Sequence, residues 1–155
     1  KTRDKMKPQI YDDVLEKSLL KYVQLELITM SWHIHKSNDE DKNFFYFCPT
    51  DNLLSHNYLF NIFQEKFKTK HTKVRNYVNC YPPKVSGIFH SDGGDVTYLF
   101  FPDEFEKTGS LIFKNGPKIE YKTNRLVIFD AKQEHKAEQN MSDQMRHTIA
   151  WKTLI

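Results

Sequence analysis

The sequence is most informative at Phe89-His90-Ser91-Asp92-Gly93-Gly94-Asp95-Val96-Thr97-Tyr98-Leu99-Phe100-Phe101. The last six residues are a short run of β-branched, aromatic and apolar side chains, which is typical of a buried strand. The two glycines before the run indicate a turn. Because side chains two residues apart on an extended chain lie on the same face, His90 and Asp92 can bind one ion together. The stretch therefore predicts a buried strand with half of a metal site just before it.

Residues around this stretch read as a succession of short strands separated by turn residues such as Pro82-Pro83 and Asn115-Gly116-Pro117. The predicted strands are 74–81, 87–90, 96–101, 110–113, 118–121, 125–129, 134–138 and 147–152. Short strands at this spacing are typical of a sandwich or jelly roll. We therefore expect the C-terminal half of the chain to be all-β.

Two amphipathic helices are predicted in the N-terminal half, where apolar residues recur at helical spacing. The first opens with Asp12 and Asp13, which are good residues for a helix N-terminus, and carries Leu15, Leu19 and Tyr22 on one face. The predicted helices are 11–23 and about 52–67, and strands are predicted at 25–32 and 44–48. The expected fold is mainly β, in the α+β class, a jelly roll with N-terminal helices packed on one sheet.

The composition indicates one domain with a real core. The chain has 155 residues, of which 39% are hydrophobic and 14% aromatic. This length supports one compact core and is short for two domains of ordinary size. We therefore predict a single domain over residues 1–155.

Charge, cysteine content and hydropathy limit the partners and the compartment. The formal net charge of +3 falls short of the clustered basicity of a dedicated nucleic-acid binder. Cys48 and Cys80 lie far apart and form no C-x-x-C pair, so reduced thiols are expected. No window approaches the roughly 18 to 20 apolar residues of a membrane span, and no signal-type apolar core follows the Lys-rich start. We predict a soluble, cytoplasmic protein without a membrane partner.

A third metal ligand is predicted at His135, where a buried apolar strand leads through a short polar turn into a second candidate strand. An H-x-D triplet alone is weak evidence, because it often arises by chance. The order His90, Asp92, His135 gives two imidazoles and one carboxylate, a set that suits non-haem Fe(II) and leaves coordination positions open.

A carboxylate-binding pair follows the third ligand. Arg146 begins a strand of alternating pattern, and Thr148 is expected on the same face. Arginine offers a rigid fork of donors to a carboxylate. A dicarboxylate held there by one end could reach the metal with the other. Taken singly, a histidine in a strand is usually a half-buried structural side chain and an arginine at a strand start is usually a surface residue. The four residues in this order favour the functional interpretation.

The residues that carry these features resemble a known family. Residues 79–151 resemble the catalytic core of the prolyl 4-hydroxylase-like branch of the 2-oxoglutarate and Fe(II)-dependent oxygenases. The matching pieces are Asn79-Cys80-Tyr81-Pro82, His90-Ser91-Asp92, Val96-Thr97-Tyr98-Leu99-Phe100-Phe101, Gly109-Ser110-Leu111-Ile112-Phe113, Arg125-Leu126-Val127-Ile128-Phe129-Asp130, His135 and Arg146. The resemblance implies a double-stranded β-helix whose catalytic core covers about residues 73–155.

The resemblance also implies the roles of the site residues. Fe(II) would be bound by the catalytic residues His90, Asp92 and His135, and the distal carboxylate of the co-substrate 2-oxoglutarate by Arg146. O2 would be consumed, with ascorbate as a reductant. The other residues implied to bind the co-substrate are Tyr81, Leu99, Phe101, Thr148 and Trp151. Many relatives carry a tyrosine where Phe101 stands, so Thr148 is the expected source of the missing hydroxyl.

The implied activity is a dioxygenase that hydroxylates a C–H bond and releases succinate and CO2. By resemblance, the expected partner is a peptide or protein whose prolyl or other residue is hydroxylated.

Two alternatives remain open. The first is an oxygenase acting on a nucleobase or a small metabolite. The nucleic-acid-dealkylating branch shows a second arginine soon after the co-substrate arginine, and Arg146 is the last arginine of this chain, which argues against a nucleic-acid partner. The second is a non-catalytic jelly-roll binding module in which His90 and His135 are structural. His33 and His35 form an H-x-H pair without a third ligand, and the sequence assigns them no role.

Overall fold

The computed structural model describes residues 6–36, 44–104 and 109–155. The helices are α1 (Lys17–Ile28) and α2 (Leu54–Phe67). The strands are β1 (Gln9–Tyr11), β2 (His33–Lys36), β3 (Phe44–Pro49), β4 (Thr72–Tyr81), β5 (Val96–Phe101), β6 (Ser110–Phe113), β7 (Lys118–Glu120), β8 (Arg125–Asp130), β9 (His135–Ala137) and β10 (Arg146–Leu154). Across these three ranges, neither helix has the length and apolar character needed to span a membrane.

The strands form two antiparallel sheets. The larger has seven strands in the order β1-β8-β5-β10-β4-β3-β2, and the smaller has three in the order β7-β6-β9. In the larger sheet β10 is central and pairs with β4 on one side and β5 on the other. An isolated bridge between His90 and His135 ties the loop before β5 to the start of β9. The two sheets therefore meet at the residues predicted to bind metal.

Two buried clusters lie on opposite faces of the larger sheet. The first joins both helices to the sheet and includes Leu20, Val23, Leu59, Phe63, Val78, Tyr98, Phe100, Ile149 and Trp151. The second lies between the sheets and includes Phe101, Leu111, Phe113, Ile119, Val127 and Phe129. Because side chains alternate along a strand, neighbours such as Phe100 and Phe101 belong to different clusters.

The predicted strands of the C-terminal half agree closely with the structure. Strands 96–101 and 110–113 match β5 and β6, and most of the others shift by one or two residues. The predicted strand 87–90 is wrong, since only His90 takes part in a bridge. A mainly β chain with few helices is confirmed.

The N-terminal elements depart most from the predictions. The predicted helix 11–23 is wrong in its first turn: Tyr11 ends β1, and Asp13 has φ of 52°, a left-handed backbone that no helix continues through. Asp12 accepts hydrogen bonds from Arg125 instead of capping a helix. The helix begins at Lys17, and the predicted strand 25–32 is also wrong, because α1 continues to Ile28.

The buried face of α1 is not the one that the sequence pattern predicted. It consists of Leu20, Val23 and Leu27, which follow helical spacing, whereas Tyr22 of the expected face is 54% exposed.

Candidate metal centre and co-substrate pocket

Three potential metal ligands converge where the two sheets meet. His90, Asp92 and His135 each offer one ligand atom, and these atoms lie within 4.8 Å of one another. His90 Nε2 lies 3.7 Å from Asp92 Oδ1, and His135 Nε2 lies 3.5 Å from Asp92 Oδ2. Asp92 and His135 are buried, while His90 faces the solvent side. The structure thus brings together the three residues that the sequence selected.

Backbone carbonyls orient both imidazoles. His90 Nδ1 lies 2.9 Å from the carbonyl oxygen of Ile88, and His135 Nδ1 lies 2.8 Å from that of Gln133. A neutral imidazole that donates from Nδ1 keeps its proton there and leaves the Nε2 lone pair free. Metal-binding histidines are commonly fixed by such a second hydrogen bond. The unprotonated Nε2 atoms would then face Asp92.

The charge states of these groups also suit a metal. Burial lowers the pKa of His135 to about 4, although the Asp92 carboxylate opposes the shift. Burial raises the pKa of Asp92, but Lys152, His135 and the hydrogen bond from Thr97 together bring it below its ordinary value. A divalent ion needs a neutral imidazole and an ionised carboxylate, and both are present near neutral pH.

Lys152 is a member of this site that sequence reasoning missed. Its Nζ donates to Asp92 Oδ2, which also accepts a hydrogen bond of 2.7 Å from the Thr97 hydroxyl. Lys152 and Thr97 are cross-strand partners on β10 and β5. Part of this arrangement could be predicted, because Lys152 lies an even number of residues from Arg146 and Thr148 and therefore faces the same side of the strand. Pairing with Thr97, however, depends on strand order, which the sequence does not reveal.

A pocket leads from the metal ligands into the space between the sheets. Its walls include Tyr81, Leu99, Phe101, Arg146 and Thr148, all of which the resemblance had assigned to the co-substrate. His90 and His135 line the same pocket. Two of the candidate metal ligands and the two residues predicted to bind a carboxylate therefore share one pocket.

Arg146 is buried, with only 2% of its surface exposed. Its Nη2 donates to the carbonyl oxygen of Glu138 at 2.8 Å, and its guanidinium lies 5.2 Å from the ring centre of Tyr81. Burial raises the pKa of Tyr81 to about 12, against the pull of Arg146, so its phenol stays protonated at neutral pH. The pocket thus holds a fixed positive charge beside a phenolic donor.

The assignment of Trp151 to the co-substrate pocket is wrong. Trp151 is fully buried on the other face of the sheet, where its Nε1 donates to the carbonyl oxygen of His56 at 3.0 Å. The reason is strand alternation: Arg146, Thr148 and Lys152 face the pocket, so Trp151 must face the helices.

Tyr121 also lines the pocket and was not predicted. Its ring stacks on Phe101 with centroids 4.6 Å apart. Its hydroxyl donates to the carbonyl oxygen of His147 at 2.7 Å and accepts from the backbone N–H of Asp103. Because the Tyr121 hydroxyl is already hydrogen-bonded within the protein, Thr148 remains the residue expected to offer a hydroxyl to the co-substrate.

Comparisons with known proteins are informative at the level of structure. No family model matches the sequence, and no curated protein matches it. A 2OG-Fe(II) oxygenase family oxidoreductase from Burkholderia pseudomallei superposes with a TM-score of 0.77 at 10% identity, over 93% of this chain and 83% of that one. The chain has the jelly-roll fold of the 2-oxoglutarate and Fe(II)-dependent oxygenases.

Two further structures show the range of ligands on this fold. A Trichoplax adhaerens prolyl hydroxylase in complex with a hypoxia inducible factor peptide has a TM-score of 0.68 at 18% identity, covering 93% of this chain and 82% of that one. HygX from Streptomyces hygroscopicus, with nickel, 2-oxoglutarate and hygromycin B bound, has a TM-score of 0.71 at 8% identity, covering 93% and 81%. The predicted mainly β jelly roll is confirmed.

Proposed function

We propose that this chain is an Fe(II)- and 2-oxoglutarate-dependent dioxygenase that hydroxylates a C–H bond of a peptide, at a prolyl or another residue. The observation that carries the proposal is the convergence of His90, Asp92 and His135, together with the pocket that His90 and His135 share with the buried Arg146. The fold supports it, since a prolyl hydroxylase bound to a peptide has the same fold.

The donor set fits Fe(II). His90 and His135 would bind through Nε2, since carbonyl groups engage both Nδ1 atoms, and Asp92 would bind through a carboxylate oxygen. Two imidazoles and one carboxylate leave positions open for a co-substrate. When bound, iron and 2-oxoglutarate supply the oxidising chemistry, in which O2 is consumed, succinate and CO2 are released, and a C–H bond is hydroxylated.

The protein's own residues would orient the co-substrate. Arg146 offers a fixed positive charge to the distal carboxylate of 2-oxoglutarate, and Thr148 offers a hydroxyl from the same strand face. Leu99 and Phe101 make part of the wall apolar and would exclude water around this ion pair. The phenol of Tyr81, protonated at neutral pH, can donate a hydrogen bond inside the pocket.

A small-molecule substrate is the second candidate. Its support is that HygX, which has the same fold, holds an antibiotic together with 2-oxoglutarate.

Succinate formation and metal binding test the proposal together. Iron-loaded, reduced protein should convert 2-oxoglutarate to succinate slowly without a substrate and faster with one. Asp92→Ala should abolish both this turnover and the tight binding of Mn(II) by calorimetry, because a ligand is lost. Asp143→Ala removes an exposed carboxylate and should leave both unchanged. Absence of succinate from the native protein, or unaltered Mn(II) affinity in Asp92→Ala, would contradict the assignment.

A further inference from the structure

A groove of about 330 Å³ opens beside the metal centre, outside the co-substrate pocket. Strands β2, β3 and β4 form one wall, and His90 and Asp92 lie on the other side. Tyr81 and Asn79 line both the groove and the pocket, so the two spaces are continuous at the metal centre. A molecule lying in this groove would therefore pass next to the candidate metal ligands.

The wall of the groove is a row of aromatic rings. Phe45 stacks on Tyr81 with centroids 4.8 Å apart, and Phe47 lies 5.3 Å from Tyr77. His35 of the unassigned H-x-H pair extends the row, 5.0 Å from Phe45. These residues project from one face of three neighbouring strands. The row offers flat apolar surface to a bound chain, such as an extended peptide with a ring or aliphatic side chain.

Arg75 gives this wall a positive charge. Its guanidinium lies 5.3 Å from the ring centre of Phe47 and 5.1 Å from that of Tyr77. The side chain is exposed, and within the part of the chain that the structure describes no carboxylate pairs with it. Asp92 is the one carboxylate among the described residues lining the groove, and it is engaged by Lys152 and Thr97. The groove is therefore complementary to an acidic group.

Asn79 adds an unmet hydrogen-bonding requirement. Its Oδ1 is buried, and no donor among the described residues reaches it. A buried acceptor without a donor costs free energy, so a ligand that supplies an N–H is favoured at this position. The distal carboxylate of 2-oxoglutarate has no N–H to give. The backbone of a peptide has one at nearly every residue.

We propose that the groove binds a peptide carrying an acidic residue, with the acid on Arg75, a backbone N–H on Asn79 and apolar side chains on the aromatic row. The inference rests on the proposed function, because it names the substrate class of that same site. Arg75 and Asn79 lie four residues apart on one strand, which spans roughly 13 Å, the length of about four residues of an extended peptide. The acidic residue therefore lies within about four residues of the one that reaches the metal.

Peptide libraries of controlled charge test this inference. Three degenerate eleven-residue libraries, identical except that the positions three to five residues from the centre are Asp, Lys or Ser, are titrated onto Mn(II)-loaded protein with 2-oxoglutarate by fluorescence anisotropy. The native protein should bind the Asp library about tenfold more tightly than the Lys library, because one exposed ion pair is gained in the first case and a like-charge contact arises in the second.

Two variants of Arg75 separate a specific contact from a general charge effect. Arg75→Gln should abolish the preference, and Arg75→Glu should reverse it toward the Lys library. Lys70→Glu changes the net charge equally at an exposed position after α2 and should keep the preference for Asp. Asn79→Leu should weaken binding of all three libraries alike, because it removes the acceptor without changing the charge.

The outcomes also separate this inference from the proposed function. Succinate release is followed with each library on iron-loaded protein. Equal binding of the three libraries, or a preference that survives Arg75→Glu, overturns the inference even if 2-oxoglutarate is consumed. Preferential binding of the Asp library without any consumption of 2-oxoglutarate would overturn the proposed function and leave the peptide site standing. Stimulation of turnover by a free dicarboxylic acid, with no effect of any library, would overturn the assignment of a peptide.

Discussion

Individual side chains at the metal centre owe their charge states to unequal surroundings. Asp92 and His135 are both buried, and burial alone would favour the neutral form of each side chain. Lys152 and Thr97 keep Asp92 ionised, whereas His135 has a backbone carbonyl on one nitrogen and remains neutral. Lys152 is therefore a candidate positioning residue, because its ammonium group donates to the carboxylate that is predicted to bind the metal.

Loss of the Lys152 charge should destabilise the metal-free protein. In Lys152→Met the buried Asp92 carboxylate keeps only the Thr97 hydroxyl and the histidines as partners. Removing one partner of a buried ion pair costs about 3 to 5 kcal/mol. Thermal melts of metal-free protein should show a clear fall in Tm, and saturating Mn(II) should recover more of the stability in Lys152→Met than in the native protein, since the ion replaces the lost cation.

A matched control for this variant is Lys73→Met, which removes a lysine that bonds to Asn57 and Asn76 away from the metal centre. Its melting temperature should respond to Mn(II) as the native protein does. A Lys152→Met protein that melts at the native temperature without metal would contradict the assigned role.

The arginine and threonine of the co-substrate pocket should contribute unequally to affinity. A dianion entering a pocket lined by Leu99 and Phe101 loses hydration, which Arg146 must replace. Arg146→Ala should cost about 3 to 5 kcal/mol, a hundredfold or greater loss of 2-oxoglutarate affinity, whereas Thr148→Val should cost about 1 kcal/mol. Titrations of 2-oxoglutarate into Mn(II)-loaded protein measure both.

Mn(II) affinity serves as the internal control, because neither residue is a candidate metal ligand. Normal 2-oxoglutarate binding by Arg146→Ala would show that another cation holds the distal carboxylate, and Lys152 would then be the first to examine.

A site residue could be predicted from the sequence only where its residue type and its place in the chain indicate its chemistry. The order of His90, Asp92, His135 and Arg146 could be read along the chain, because each residue type matches the chemistry of an ion or a carboxylate. Lys152 could not, since its contact with Asp92 arises from the register of β10 on β5. Trp151 was placed on the wrong face, although counting strand parity from Arg146 would have placed it correctly.

At the scale of elements, predictions succeeded where the local pattern and the tertiary contacts agree. Strand β5 is a dense apolar run that is buried on both faces, and its bounds were predicted without error. Helix α1 was misplaced because two aspartates that resemble a helix start are used in other ways. Asp12 binds Arg125 on β8, and this long-range ion pair has no signature in the local sequence.

The junction between β5 and β10 should make stability depend on pH. Asp103, just beyond β5, accepts hydrogen bonds from the backbone N–H and the Nδ1 of His147, the latter at 2.9 Å. Burial, the largest single cause, lowers the pKa of His147, but the hydrogen bond to Asp103, the Asp103 charge and the contact with Cys80 together outweigh it and raise the pKa to about 10. Because the pKa is raised in the folded state, this stabilisation is complete below about pH 6.5 and is lost as the pH rises toward 10.

His147→Gln should therefore be less stable than the native protein at about pH 6, and the difference should shrink as the pH approaches 10. Urea unfolding at a series of pH values measures this difference directly. His33→Gln, at an exposed histidine of β2, should show no such trend. A difference between His147→Gln and the native protein that stays constant over this range would mean that His147 is not protonated in the folded state.

Over the whole molecule, the larger sheet separates the tasks of stability and chemistry. Its helix-facing side is a closed apolar core that includes Tyr98, Phe100 and Trp151. Its other side faces the candidate metal ligands and carries Arg146, Lys152 and the aromatic wall of the groove. Strand β10 contributes to both sides through alternate residues, so one strand allows the two tasks to be tested separately.

Trp151→Phe should lower stability without changing co-substrate binding. The indole packs edge-on to Phe63 at 5.5 Å and donates to the His56 carbonyl, so the variant loses contact volume and leaves a buried acceptor without that donor. Together these losses should cost about 2 to 3 kcal/mol, and Tm should fall by roughly 4 to 10 °C. The affinity for 2-oxoglutarate should stay within about twofold of native, because no atom of Trp151 lines the pocket. Thr148→Val, on the opposite face of the same strand, should show the reverse, with weaker 2-oxoglutarate binding and little change in Tm. If Trp151→Phe instead weakens 2-oxoglutarate binding at unchanged Tm, the indole contributes to the pocket and the two faces of the sheet are not independent.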